Sequence, residues 1–231
     1  MLSKRSTMSL CAVGLAIFAT GAAAKAETLS SLLNGSGSNA MIVVGNTVYS
    51  NFTYGGTTPA SDVVINTTTD ANGNQTLEFT TSTNGWTLPS GSSQIGYDVT
   101  LTGASVSAVG LGFTATASGG ASAFVGETIT DTANNNKNYS LSVFTDGPGG
   151  LADNTTDSVN LDPASSTFHV LKSIDVATNG TAGAAATITL VDNTYTQNGG
   201  GGSQPGVPEP MSLALLPLGL AGLALRKRVA R

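Results

Sequence analysis

Residues 27–197 alternate apolar and polar positions with a period of two, and turn-forming residues interrupt the alternation at short intervals. Ile95, Tyr97, Val99 and Leu101 alternate with Gln94, Gly96, Asp98 and Thr100. Successive side chains of a strand point to opposite faces, so this pattern predicts a strand with one buried face. Leu77 and Phe79 repeat it, as do Tyr139, Leu141 and Val143, and then Ile188 with Leu190. Asn72-Gly73 falls between the apolar-alternating stretches 63–66 and 76–80. That placement predicts a hairpin closed by a type I′ turn, which needs two positive φ angles. The polar run 134–138 lies between 125–130 and 139–145 and predicts a second hairpin with a longer loop. Residues 29–33 are the one stretch read as a helical turn. The expectation is all-β: a single sandwich or jelly-roll-like domain over 27–197, with about nine to eleven short strands.

The two ends follow other patterns. Lys4 and Arg5 precede a short apolar run over 10–19, and Ala24-Lys25-Ala26 supplies a small-x-small site, predicting cleavage before Glu27. This is the layout of a secretory signal peptide over 1–26, its apolar run being too short to span a bilayer stably. Residues 198–206 are a Gly-rich tether with no side chains able to build a core. Val207, Pro208, Glu209 and Pro210 then open an apolar stretch over 211–225, closed by Arg226, Lys227 and Arg228. As a helix that stretch is about 22 Å long, against a hydrocarbon core of about 30 Å, which suits a transient membrane helix. The basic cluster stops transfer and stays on the cytoplasmic side.

The tail over 207–231 resembles the PEP-CTERM sorting signal: Pro-Glu-Pro, a short apolar helix, then an Arg-rich end. Residues 28–54 also resemble the opening of one subgroup of proteins carrying that tag. The resemblance implies a substrate of exosortase, exported across the inner membrane of a Gram-negative bacterium that makes exopolysaccharide. It implies transient anchoring in the inner membrane, then residence at the cell surface or outside the cell, often in a biofilm. Signal peptidase and exosortase are the processing partners.

Composition narrows the function of the middle. The chain carries nine Lys and Arg against fourteen Asp and Glu, and only Lys137 and Lys172 lie between residues 27 and 206. That stretch holds every acid except Glu209, so its formal charge is 2 − 13 = −11. With almost no cations to displace counterions from phosphates, nucleic acid is excluded as a partner. The single cysteine, Cys11, lies inside the signal peptide, so the mature domain has no thiol for a disulfide, a nucleophile or a thiolate metal site.

The candidate chemistry is sparse. His169, the lone histidine, shares a strand face with Thr167, Leu171 and Ser173, opposite Phe168, Val170 and Ile174, and reads as structural. No Gly-x-Ser-x-Gly elbow accompanies it. Asp146, Asp153, Asp157 and Asp162 cluster in a loop-rich segment but match no calcium-loop spacing. Trp86 is the candidate ligand contact if its ring is exposed and a core anchor if it is not. Asn51, Asn66 and Asn154 open glycosylation sequons. No catalytic residue, metal ligand or cofactor is assigned. The reading that follows is a non-enzymatic matrix or envelope protein associated with exopolysaccharide. A carbohydrate-binding module is the alternative, and an extracellular hydrolase comes third.

Overall fold

The computed structural model describes residues 26–35, 37–83, 85–87, 92–146, 153–178 and 180–198. The signal peptide up to residue 25, most of the tether and the whole sorting tail, with Ala24, Val207, Pro208, Glu209, Pro210, Arg226, Lys227 and Arg228, lie outside the described residues. Thirteen strands are present among them. They are β1 (Ala26–Thr28), β2 (Ile42–Val44), β3 (Thr47–Gly56), β4 (Val63–Thr69), β5 (Gln75–Thr81), β6 (Trp86–Thr87) and β7 (Ser93–Leu101). After these come β8 (Ser105–Ser118), β9 (Ala121–Asp131), β10 (Lys137–Asp146), β11 (Thr156–Ser165), β12 (Thr167–Thr178) and β13 (Ala185–Asn198). The expected helical turn is α1 (Leu29–Asn34), which buries Leu29 and Leu32. No helix among the described residues is long and apolar enough to cross a membrane.

All pairings are antiparallel and form two sheets, ordered β1-β4-β5-β13-β8-β11, with β6 also on β13, and β10-β9-β12-β7-β3-β2. The middle of the chain divides between them as β5-β13-β8-β11 and β7-β12-β9-β10, the order of the two Greek keys of a jelly roll. β4 and β1 extend one sheet, and β3 and β2 extend the other. The alternating apolar residues face inward and share one core, and each large side chain so buried contributes about 1.5–3 kcal/mol. At its centre Tyr97 stacks on Phe52, with ring centroids 5.6 Å apart, and meets Phe79 at 5.7 Å. Tyr195 from the opposite sheet packs on Tyr49 and Phe168, each at 5.8 Å.

Both expected hairpins form, but the first is not closed by a type I′ turn. Gly73 has a φ of 84°, whereas Asn72 is not among the positive-φ residues. The loop between Thr69 and Gln75 is instead organised by Asp70, whose Oδ1 accepts from the backbone N–H groups of Asn72 and Asn74 at 2.8 and 2.9 Å. An Asp side chain folding onto its own following backbone supplies the turn that two left-handed residues would otherwise make. A second correction concerns Ile188 and Leu190. The β13–β8 register shifts between them, so Ile188 is fully buried while Leu190 turns outward and Val191 takes the next core position. One extra residue in a bulge reverses the facing of everything beyond it.

Candidate functional site

The outer face of the six-stranded sheet gathers polar side chains from five strands into one row. Asn138 lies opposite Thr130, Thr130 opposite His169, His169 opposite Asp98, and Asp98 opposite Ser50. The β3–β7 register shifts just beyond Ser50, and Asn51 sits there with a φ of 53°. Its Nδ2 donates to Asp98 Oδ2 at 2.7 Å, and His169 Nδ1 donates to Asp98 Oδ1 at 2.7 Å. Thr130 Oγ1 donates to Asn138 Oδ1 at 2.8 Å. His169 and Asp98 keep 37% and 34% of their side chains exposed, so the contact is worth at most about 1 kcal/mol to the fold. Its consequence is orientation: Asp98 holds both neighbours in place at the surface.

The same face continues along the strands with little bulk. At Gly96 a methyl group would collide with the Thr53 hydroxyl, so the Thr53 side chain lies over the bare backbone there. Gly126 lies beneath the ring of Phe124, which is 41% exposed and stands opposite Phe144 on β10. From Thr130 to Phe124 the face runs six residues of β9, about 20 Å. His169 therefore lies on the polar face expected of it, with Thr167, Leu171 and Ser173, while Phe168, Val170 and Ile174 are buried. Its partner Asp98, 71 residues away, was not legible from spacing.

Trp86 is fully buried, paired through β6 with Ile188 of β13, and its Nε1 has no hydrogen-bond partner among the described residues. The indole faces are packed in the core and cannot stack on a ligand, which corrects the ligand-contact reading. Two of the four loop acids have their carboxylates engaged, and the backbones of the other two are held in place. Asp153 Oδ1 accepts from Thr145 Oγ1 and from the Asp146 backbone N–H. Asp157 accepts from the backbone N–H groups of Ser142 and Ser158. The Asp162 carbonyl accepts from Lys137 Nζ. No three acidic, histidine or cysteine side chains converge among the described residues. Of the sequon asparagines, Asn51 is held on Asp98, and Asn154 Nδ2 donates to the Ser142 carbonyl at 3.1 Å.

A second polar constellation lies between the sheets and escaped sequence reading. Lys172 on β12 stands directly opposite Glu127 on β9, and its Nζ donates to Glu127 Oε2 with both side chains sealed from solvent. Asn193, fully buried on β13 of the other sheet, donates from Nδ2 to Glu127 Oε1 and Oε2 at 2.9 and 3.0 Å, and to the Gly110 carbonyl at 3.2 Å. The Tyr97 hydroxyl donates to Asn193 Oδ1 at 2.8 Å and lies 2.7 Å from the Tyr195 hydroxyl. Burial pushes the Lys172 ammonium below its ordinary value, against the opposing pull of the Glu127 charge. Burial holds the phenols of Tyr97 and Tyr195 well above theirs, so both remain protonated donors. A signal was present in the sequence. Lys172 sits at the apolar phase between Val170 and Ile174, Glu127 between Val125 and Ile129, and Asn193 between Val191 and Tyr195.

Behind this cluster, on the outer face of the other sheet, an open depression of about 260 Å³ is lined by Gly110, Gly112, Thr114, Thr156, Asp192 and Thr194. Half-buried Asp192 leans over Gly112, and burial raises its carboxyl above the ordinary value, opposed by Lys172 and by the Gly112 N–H.

No family model matches this chain. No curated protein matches it. Among solved structures it is similar to the enzymatically active domain of bacteriophage CBA120 tailspike protein 4, at 14% identity over 63% of this chain. The match spans 19% of that chain's length with a TM-score of 0.22, and at that level it bears on neither fold nor activity.

Proposed function

We propose that this chain is a non-enzymatic extracellular matrix or envelope protein of a Gram-negative bacterium, sorted by exosortase and associated with exopolysaccharide through the outer face of its six-stranded sheet. The observation that carries the polysaccharide contact is the row Asn138, Thr130, His169, Asp98 and Asn51, which sets hydroxyl, amide, imidazole and carboxylate groups side by side across five strands. A polar polymer lying along the face meets donors and acceptors already held in position, so little side-chain freedom is lost on binding. Lys172 is buried, which leaves Lys137 as the exposed lysine among the described residues, amid an excess of carboxylates. That field repels acidic polymers and favours a neutral polysaccharide.

Co-sedimentation of the exported protein with the producing bacterium's own exopolysaccharide tests the contact. Asp98→Ala, which releases both His169 and Asn51, is expected to weaken retention at least several-fold while leaving thermal stability nearly unchanged. Undiminished retention removes this face from the proposal. Sorting is tested separately by mass spectrometry in hosts with and without exosortase. The expected mature chain begins at Glu27 and lacks the apolar tail, and deletion of exosortase should restore that tail.

The carbohydrate-binding-module reading is supported by the exposed Phe124 ring on the same face. Aromatic faces stack on sugar rings, so Phe124→Ala should abolish binding of short oligosaccharides if that reading holds. If it changes nothing, polymer association rests on the polar row alone.

A further inference from the structure

We propose that Lys172 and Asn193 become joined by an amide bond, formed by the folded protein itself with Glu127 as the acid–base catalyst, so that a covalent staple ties the two sheets together. The geometry places every participant. Lys172 Nζ and Asn193 Nδ2 both lie on the same oxygen, Glu127 Oε2, so nucleophile and leaving group are within two hydrogen-bond lengths of each other. The Tyr97 hydroxyl is already on Asn193 Oδ1, where negative charge develops when the carbonyl carbon is attacked. All four side chains are buried, which removes competing water and makes each of these contacts stronger.

The step balances without a cofactor. The Lys172 ammonium gives a proton to Glu127, and the neutral amine attacks Asn193 Cγ. Tyr97 stabilises the oxyanion on Oδ1. Glu127 passes a proton to Nδ2, the Cγ–Nδ2 bond breaks, and ammonia leaves as the new Nζ–Cγ amide forms. The remaining extra proton on Nζ passes to Glu127, ammonia departs as the neutral molecule, and Glu127 is left protonated. Holding both groups on one carboxylate supplies the proximity that a bimolecular aminolysis lacks. The product also removes a charged pair from the core. Burial, which depresses the Lys172 ammonium, works in the same direction. The mature domain has no cysteine, so this link would do for it what a disulfide does in other exported domains.

The test is a tryptic map of the full chain, purified from an exporting host and denatured before digestion. Trypsin does not cut after an acylated lysine. The expected peptide starts at Asn138, runs uncut through Lys172 and weighs about 17 Da less than its sequence, the mass of one ammonia. Fragmentation should place the junction on Lys172 and Asn193. Release of residues 138–172 as the main, unmodified product overturns the proposal. So does a loss of about 17 Da with Lys172 still cleaved, because succinimide formation at Asn179-Gly180 or Asn198-Gly199 gives the same mass. Glu127→Gln and Asn193→Ala should each restore cleavage after Lys172. Asn193→Asp should keep the link, now with loss of water. A Glu127→Gln chain that still carries the link would remove Glu127 as catalyst and overturn the mechanism. The wild-type map decides the existence of the bond even where a variant does not fold.

Discussion

Lys172 and Glu127 face each other across adjacent strands β12 and β9 in the interior of the sandwich, each fully sealed from solvent. Removing one member of such a pair leaves a buried charge without its counter-charge and typically costs about 3–5 kcal/mol. Glu127→Ala is expected to destabilise the domain by about that much, seen as a lower urea midpoint. Adding Lys172→Met to that variant should recover part of the loss, since the stranded charge is then gone. A Glu127→Ala chain as stable as its parent would falsify the pairing.

Asp192 bears on stability with the opposite sign to an ordinary surface acid. Burial raises its carboxyl above the ordinary value of 3.8, so over that range the folded state binds a proton that the unfolded chain releases. Stability from this group is therefore present in acid and is lost as pH rises from about 3.8 through the folded value. Asp192→Asn is expected to raise the melting temperature at neutral pH and to make no difference below the ordinary carboxylate range. Parallel melts from pH 3 to pH 7 check this. A variant less stable than the parent at pH 7 would show that the Lys172 attraction outweighs the burial cost.

Trp86 is the only tryptophan and is fully buried, which makes it an internal reporter. Its emission should be blue-shifted and insensitive to iodide in the folded state, shifting red on denaturation. Saccharides should leave it unchanged. Trp86→Phe keeps most of the bulk and removes an N–H that has no partner among the described residues. It should therefore cost clearly less than the 3–5 kcal/mol typical of Trp→Ala in a core, about half or below. Strong quenching by iodide in the native state would contradict the burial.

The bulge between Ile188 and Leu190 separates two aliphatic residues that simple alternation puts on one face. Ile188→Ala should cost about 2–5 kcal/mol, as core truncations do. Leu190→Thr, at the rim of the outer depression, should cost less than about 1 kcal/mol. Equal costs would mean that the strand is in continuous register.

How far the sequence reached depended on the range of the interaction being read. Alternation is a local property, so the strands around Tyr97, Phe79 and Val143, both hairpins and the outward placement of His169 could be read directly. Bulges depend on what a neighbouring strand allows. That is why the reversal at Leu190, and the left-handed Asn51 that reaches Asp98, appeared only with the sheet assembled. Burial of Trp86 likewise needed a second strand to cover it. Lys172, Glu127 and Asn193 each stood at an apolar phase in the sequence, a local oddity whose meaning required partners 45 and 66 residues away. Sequence by itself determined the class of the fold, because burying one face of many short strands leaves few solutions other than a sandwich. Only the tertiary structure decided which polar groups would meet, since pairing across sheets follows from the order in which strands are wound, and no period along the chain records that order.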